Sequence, residues 1–233
     1  MNSTTYDRRR GQLEDYFDRT AYEAWARLTA DGPVGRIRAT VRAGRQQMRE
    51  HLLSWLPAQL TGLRLLDAGC GSGALAAAAA ARGAEVVAVD LSESVVRLAQ
   101  ERAPATGTPG RIRYGVGDMT DESWGSFDYV VAMDSLIHYD TRDMVEAVRR
   151  LARRTRCGIL LTFAPRTRAL AAMHAVGRLF PRSNRAPAIA PVREAHLANL
   201  LSTTLGLEEW EMQRSQRVQR GFYTSQALEL VHR

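Results

Sequence analysis

Acidic residues recur in this chain at positions that would gather them along one edge of a fold. The stretch LLDAGCGSGAL sets Asp67 ahead of Gly69, Gly71 and Gly73. Glycine permits a tight turn and lets a ligand approach the backbone. The pattern is G-x-G-x-G, whereas the dinucleotide fingerprint is G-x-G-x-x-G and seats a pyrophosphate at a helix N-terminus. A carboxylate just ahead of the loop suits a cationic amino-acid group and suits a pyrophosphate poorly. Asp90 ends the next apolar run, where a carboxylate can bind both hydroxyls of a ribose. Asp118 and Met119 follow a third run, an acid and an apolar side chain fit to hold the edge and the face of an adenine. A fourth run, VVAMDSLIHYD, leads directly into an acid, a serine, His138 and Tyr139. The competing reading is a structural turn whose acids serve as helix caps.

Such a set converges only if strands end beside one another. Four apolar runs, about 63–69, 84–90, 111–118 and 127–134, alternate with helical patterns near 72–82, 92–102 and 141–154. A fifth run spans about 157–165. Strands alternating with helices of this length predict a parallel, doubly wound α/β sheet, and in such sheets ligands bind outside the carboxyl ends of the strands. Ahead of them, residues 8–28 read as an amphipathic helix with Leu13, Tyr16, Phe17 and Trp25 toward one side. DGP at 31–33 breaks it, and a second helix runs over 34–55. A helix near 192–204 and two closing strands, about 207–213 and 217–230, complete the chain. Residues 1–60 thus read as a helical arm on one α/β domain, 61–233.

Composition narrows the class. The 233 residues are 45% hydrophobic and 24% charged, enough for one sizeable core. No apolar run approaches the roughly 18 residues of a membrane span, and no signal peptide is expected. Cys70 and Cys157 stand far apart, without a disulfide framework or a zinc pattern, which suits a reducing cytoplasm. The net charge is +7, and all 32 basic residues are arginine. Between Glu146 and Glu194 there is no acid but many arginines, either a solvated face or a surface for an anionic partner. RNA binding would want stacking aromatics among those arginines. Only Phe163 and Phe180 lie there, so no nucleic-acid partner is expected.

The loop, Asp90 and Asp118–Met119 together resemble the class I S-adenosylmethionine-dependent methyltransferases. That implies a Rossmann-like sheet, mostly parallel with an antiparallel last strand. It also implies S-adenosylmethionine bound by Asp67, Ala68, Gly69, Gly71, Asp90, Leu91, Asp118, Met119 and Met133. Further stretches are more specific: DYFDRTAYEAWARL (15–28), TVRAGRQQMR (40–49), MDSLIHY (133–139), LLTFAPRT (160–167), GRLFPRSNRAP (177–187) and GFYTSQALE near the C-terminus. Together they resemble the magnesium-protoporphyrin IX O-methyltransferase family of chlorophyll and bacteriochlorophyll synthesis over nearly the whole chain.

The resemblance implies methyl transfer to a propionate carboxylate of the magnesium porphyrin, with no required metal of the enzyme's own. It also implies the porphyrin-binding subunit of magnesium chelatase as a partner, and a soluble or peripherally membrane-associated enzyme. The segment 166–191 lies where this fold places substrate lids. It offers Met173 and Phe180 to the ring and Arg166 and Arg182 to the propionates, with Tyr139 in the same wall. The alternative is an ordinary amphipathic helix. His138 is the candidate catalytic residue, as an orienter of the carboxylate, a general base or a ligand of the substrate's magnesium. Otherwise it is a packed or capping histidine. In the arm, Tyr16 and Trp25 are candidates to cover the sulfonium, with Arg42 and Arg45 for the methionine carboxylate. One departure stands out. Oxygenic members carry a tyrosine, regarded as catalytic, where this chain has Thr29, so that role is absent or falls to another residue such as Tyr22. The rivals are another small-molecule O- or N-methyltransferase and a non-catalytic binding module with a vestigial pocket.

Overall fold

The computed structural model describes residues 4–18, 35–103, 108–166 and 189–233. In the arm, α1 covers Thr4–Tyr16 and α2 covers Arg36–Trp55. There follow β1 (Arg64–Ala68), α3 (Ala74–Ala81), β2 (Glu85–Asp90), α4 (Glu93–Glu101), β3 (Arg111–Val116), β4 (Phe127–Ala132), α5 (Thr141–Ala152) and β5 (Thr155–Phe163). After the undescribed residues come α6 (Glu194–Thr203), β6 (Trp210–Arg220) and β7 (Tyr223–His232). The strand order is β3-β2-β1-β4-β5-β7-β6. The first five strands run parallel, and β7 lies antiparallel to both of its neighbours. The chain leaves β1 toward β2 and β3, then returns to its other side for β4 and β5. That reversal is the topological switch point at which such sheets bind ligands.

Two cores follow from the strand period of two, which sends neighbouring residues to opposite faces. Leu66, Val87, Val130 and Ile159 pack with α5 on one face, and Leu65, Val86, Val131 and Leu160 pack with α2 and α3 on the other. The alanines of α3 allow a close approach, with Leu75, Ala76, Ala79 and Ala80 buried. Gly44 does the same for α2, since a Cβ there would overlap the ring of Tyr223 on β7. No described helix is long and apolar enough to cross a membrane.

Two expectations change. The first helix begins at Thr4, not near residue 8, and its buried residues are Tyr6 and Leu13. The last two strands meet later than the sequence suggests. β6 continues to Arg220 and turns at Gly221 and Phe222, where Gly221 adopts φ +54. β6 is an edge strand, exposed along most of its length, so it lacks the alternation that marks a half-buried strand. In the arginine-rich stretch, Arg153, Arg156, Arg166 and Arg193 are exposed, while three others have partners within the protein. Arg149 and Arg150 both bind Glu146. Arg154 is buried, and its guanidinium donates to the carbonyls of Met119, Asp121 and Gly125, bracing the loop after β3.

Candidate active site

A cleft opens at the carboxyl ends of the strands. Crossing it in sheet order, Gly117 and Met119 follow β3, Asp90 and Leu91 end β2, Gly69 and Gly71 follow β1, and Met133, Asp134 and Ser135 follow β4. His138 and Tyr139 stand beyond β4, and Leu13 and Phe17 of the arm contribute a further wall. Gly69 needs to be glycine twice over. Its φ is +82, and a Cβ would overlap the side chain of Ser135. Its N–H and that of Cys70 both donate to the Val89 carbonyl, at 2.8 and 2.9 Å, which fastens the loop to β2.

Of the two central carboxylates, Asp67 is buried and Asp90 half-buried. Asp90 accepts from the N–H of Gly71 at 3.0 Å and of Ser92 at 3.2 Å, so it shapes the loop and also faces the cleft. Burial raises its pKa, against the pull of those backbone donors. Asp67 accepts from the Ala76 N–H at 3.0 Å and borders a second cavity, which is also lined by Arg42, Arg45 and Arg49. Burial pushes the Asp67 carboxyl up to about 7, opposed by the Ala76 hydrogen bond and reinforced by Asp90. An ammonium group bound beside Asp67 would favour its ionised form. Binding of an amino-acid ligand should therefore strengthen as pH rises toward 7, by at most about tenfold per pH unit, and level off above. Calorimetric titration with S-adenosylmethionine between about pH 5.5 and 8 should show that limb, and Asp67→Asn should remove it.

The arm is tied across the cleft by polar contacts that no local signal announced. The Tyr6 hydroxyl donates to Asp118 at 2.9 Å, and Arg10 donates to the other oxygen of Asp118 at 3.1 Å. The Arg9 guanidinium donates to the His138 carbonyl at 2.7 Å, and Thr5 donates to Asp143 at 3.0 Å. At the far end of α1, Asp18 accepts from the Ser92 hydroxyl at 2.5 Å, beside the start of α4. The Asp118 carboxylate, which also accepts from the Thr120 N–H and hydroxyl, is thus turned toward the arm. Gly117 and Met119 are the residues of that loop that border the cleft.

The remaining sequence candidates fall as follows. Ala68 is fully buried in β1, paired with Val89, and borders neither cavity. Tyr16 packs edge-on against Phe17, ring centres 5.3 Å apart, and is not among the cleft residues. Tyr139 is 1% exposed and stacks on Tyr6 at 4.8 Å, forming the inner wall of the cleft. His138 ends a short 3-10 turn, Leu136–His138, with its ring 6.3 Å from that of Phe17. Arg42 borders the second cavity, and Arg45 borders both. Arg166 is exposed, and its N–H donates to the Val192 carbonyl at 2.8 Å. The Val192 N–H donates to Ala164, and the Ala190 N–H donates to Ile137, each at 2.8 Å. Arg166 and Ala190, the described residues flanking 167–188, are thus tied to Val192 and to the turn that carries His138. Tyr22, Trp25, Thr29, Met173, Phe180 and Arg182 lie outside the described residues.

Comparison with known proteins bears on this geometry. A general methyltransferase-domain model matches residues 65–158, and the model of the magnesium-protoporphyrin IX methyltransferase C-terminus matches 132–232. A magnesium-protoporphyrin O-methyltransferase of Rhodobacter capsulatus is 47% identical, over 94% of this chain and 95% of its own. The chain belongs to the magnesium-protoporphyrin methyltransferase family. Its counterpart in Synechocystis sp. is 32% identical over 94% of both chains. The crystal structure of magnesium protoporphyrin IX methyltransferase from Synechocystis PCC 6803 with bound SAH superposes with a TM-score of 0.83 at 31% identity. That match covers 97% of this chain and 100% of the other. The fold is that of a class I methyltransferase, and the chain is an S-adenosylmethionine-dependent O-methyltransferase.

The sequence reading passed over Asp134, Ser135 and Arg49 of the site, and Tyr6, Arg10 and Asp18 of the arm. Asp134 did carry a signal, because it ends its apolar run as Asp67 and Asp90 end theirs.

Proposed function

We propose that this chain transfers the methyl group of S-adenosylmethionine to a propionate carboxylate of magnesium protoporphyrin IX. The products are the monomethyl ester and S-adenosylhomocysteine, on the route to chlorophyll or bacteriochlorophyll. The observation that carries this reading is likeness to magnesium-protoporphyrin O-methyltransferases over 94% of the chain, with the family's C-terminal model matching residues 132–232.

The cleft chemistry agrees with it. Asp90 would take the ribose hydroxyls, Met119 and Leu91 the adenine, Asp67 the ammonium group, and Arg42 the methionine carboxylate. The donor methyl then lies at the β1–β4 side, near Met133 and His138. A propionate is ionised at neutral pH, with a reference pKa of about 4, so no proton need leave. The carboxylate oxygen attacks the methyl carbon, the carbon–sulfur bond breaks, and its electron pair stays on sulfur as a neutral thioether. A cation and an anion become two uncharged groups, and a less polar setting favours such a step. Leu13, Phe17, Val89, Leu91, Val95, Met119 and Met133 supply that setting. The protein's work is to align the reactants and exclude water.

The arm 1–60 would close one side of this cleft, and the insertion 166–191 in the domain 61–233 would cover the porphyrin. There Met173, Phe180 and Tyr139 would meet the ring, and Arg166 and Arg182 the propionates. A large, flat, apolar substrate also favours direct handover from the porphyrin-binding subunit of magnesium chelatase. Residence in the cytoplasm with peripheral contact at the inner or photosynthetic membrane belongs to the same reading. The test supplies methyl-labelled S-adenosylmethionine with magnesium protoporphyrin IX, or with a simple carboxylic acid, and resolves the products by chromatography. A labelled porphyrin monomethyl ester is expected. Cofactor binding without porphyrin labelling would overturn the substrate assignment.

A further inference from the structure

Among the described residues, Asp134 is the one non-glycine with positive φ, at 55°. Such conformations gather at functional sites, held by their surroundings. Here the surroundings are plain. The Asp134 carboxylate, 4% exposed, accepts from the hydroxyls of Tyr223 at 3.1 Å, Ser225 at 3.1 Å and Thr162 at 3.2 Å. It forms a salt bridge with Arg45 at 3.1 Å. The backbone N–H of Asp134 donates to Thr162 at 2.7 Å. Donors from β5, β7 and α2 thus converge on one carboxylate at the end of β4. Arg45, with Met133, borders both the cleft and the arginine-lined second cavity.

We propose that Asp134 is a positioning residue that holds and neutralises Arg45, so that the β4 end of the cleft accepts a sulfonium cation. The inference rests on the reading of the cleft as an S-adenosylmethionine site. The arm must bring arginines near the cofactor if the methionine carboxylate is to be bound, and Arg42 and Arg49 border the same cavity. A third guanidinium at the donor-methyl side would repel the sulfonium unless its charge were matched. Asp134 supplies the match and fixes where Arg45 points. The charges of the pair cancel beside the donor, while the guanidinium remains in the wall.

The inference separates the cationic donor from its neutral product. S-adenosylmethionine and S-adenosylhomocysteine share adenine, ribose, ammonium and carboxylate, and differ at the sulfur in one methyl and one positive charge. Damage to shared contacts weakens both alike, whereas an unmatched charge near sulfur weakens or strengthens only the donor. Asp134→Asn keeps the shape, and asparagine tolerates the left-handed backbone. It should lower the donor-to-product affinity ratio on the order of tenfold, the scale of one partly screened charge at short range. Arg45→Met leaves the carboxylate unmatched and should move the ratio the other way. The double variant should return it toward that of the parent protein.

Calorimetry with both ligands on the full-length protein and the three variants reads this directly, with circular dichroism as the folding control. If Asp134→Asn does not fold, Arg45→Met decides alone through the sign of its shift. A ratio unchanged within about twofold by every folded variant would overturn the inference, since one unmatched charge should exceed that. Failure of the parent protein to bind either ligand would instead overturn the cofactor reading.

Discussion

Asp90→Ala is expected to weaken S-adenosylmethionine binding by about a hundredfold or more. A hydrogen bond to a charged group contributes about 1.5–3 kcal/mol. Two ribose hydroxyls on one carboxylate, each at the lower end of that range, already amount to about two orders of magnitude. The side chain has a second task, because it accepts from the N–H groups of Gly71 and Ser92. Alanine leaves both donors without that acceptor and loosens the glycine loop as well. Asp90→Asn isolates the first task. Its carbonyl oxygen can still accept from the loop, but the charge is gone and one acceptor becomes a donor, so a loss nearer tenfold is expected. Calorimetric titration of both variants gives the two numbers. A change below about fivefold in Asp90→Ala would remove the ribose from this carboxylate, because even one lost charge-assisted bond should exceed that.

How much of this was legible in the sequence depends on how local each feature is. The sheet was legible because each strand is an apolar run closed by turn residues, and the cleft because Asp67, Asp90 and Asp118 all lie at or just beyond strand ends. The hairpin was misplaced for the opposite reason. β6 is wet on most of its length, and only the glycine at 221 marks the reversal. Arg154 could not be separated from its exposed neighbours, since its partners are carbonyls contributed by residues 119–125. The links from Tyr6 and Arg10 to Asp118, and from Tyr223 to Asp134, join residues some 90 to 110 apart in the chain. A polar contact of that span leaves no periodicity behind. These same contacts decide which carboxylates face a ligand and which face the protein. Asp118 and Asp134 look alike in sequence, but one is turned to the arm and the other to Arg45.

His138→Ala is expected to lower kcat by roughly 10- to 100-fold while the KM for S-adenosylmethionine changes little. The size follows from the task. An acceptor carboxylate would arrive ionised, so a histidine beside it would orient the oxygen through a charge-assisted bond worth about 1.5–3 kcal/mol. Removal of a general base would cost more, about 10² to 10⁴, and would flatten a rise in rate centred near the histidine pKa. The position suits orientation. The residue sits on a short turn whose carbonyl is held by Arg9, with Phe17 across from its ring. The Ile137 carbonyl just before it accepts from the Ala190 N–H. The backbone of the turn is thus held by Arg9 and by Ala190, and Phe17 stands against the ring. His138→Gln keeps one donor in the same wall and should recover part of the loss if orientation is the role. A drop beyond a thousandfold in both variants, with the pH dependence gone, would assign it proton transfer instead.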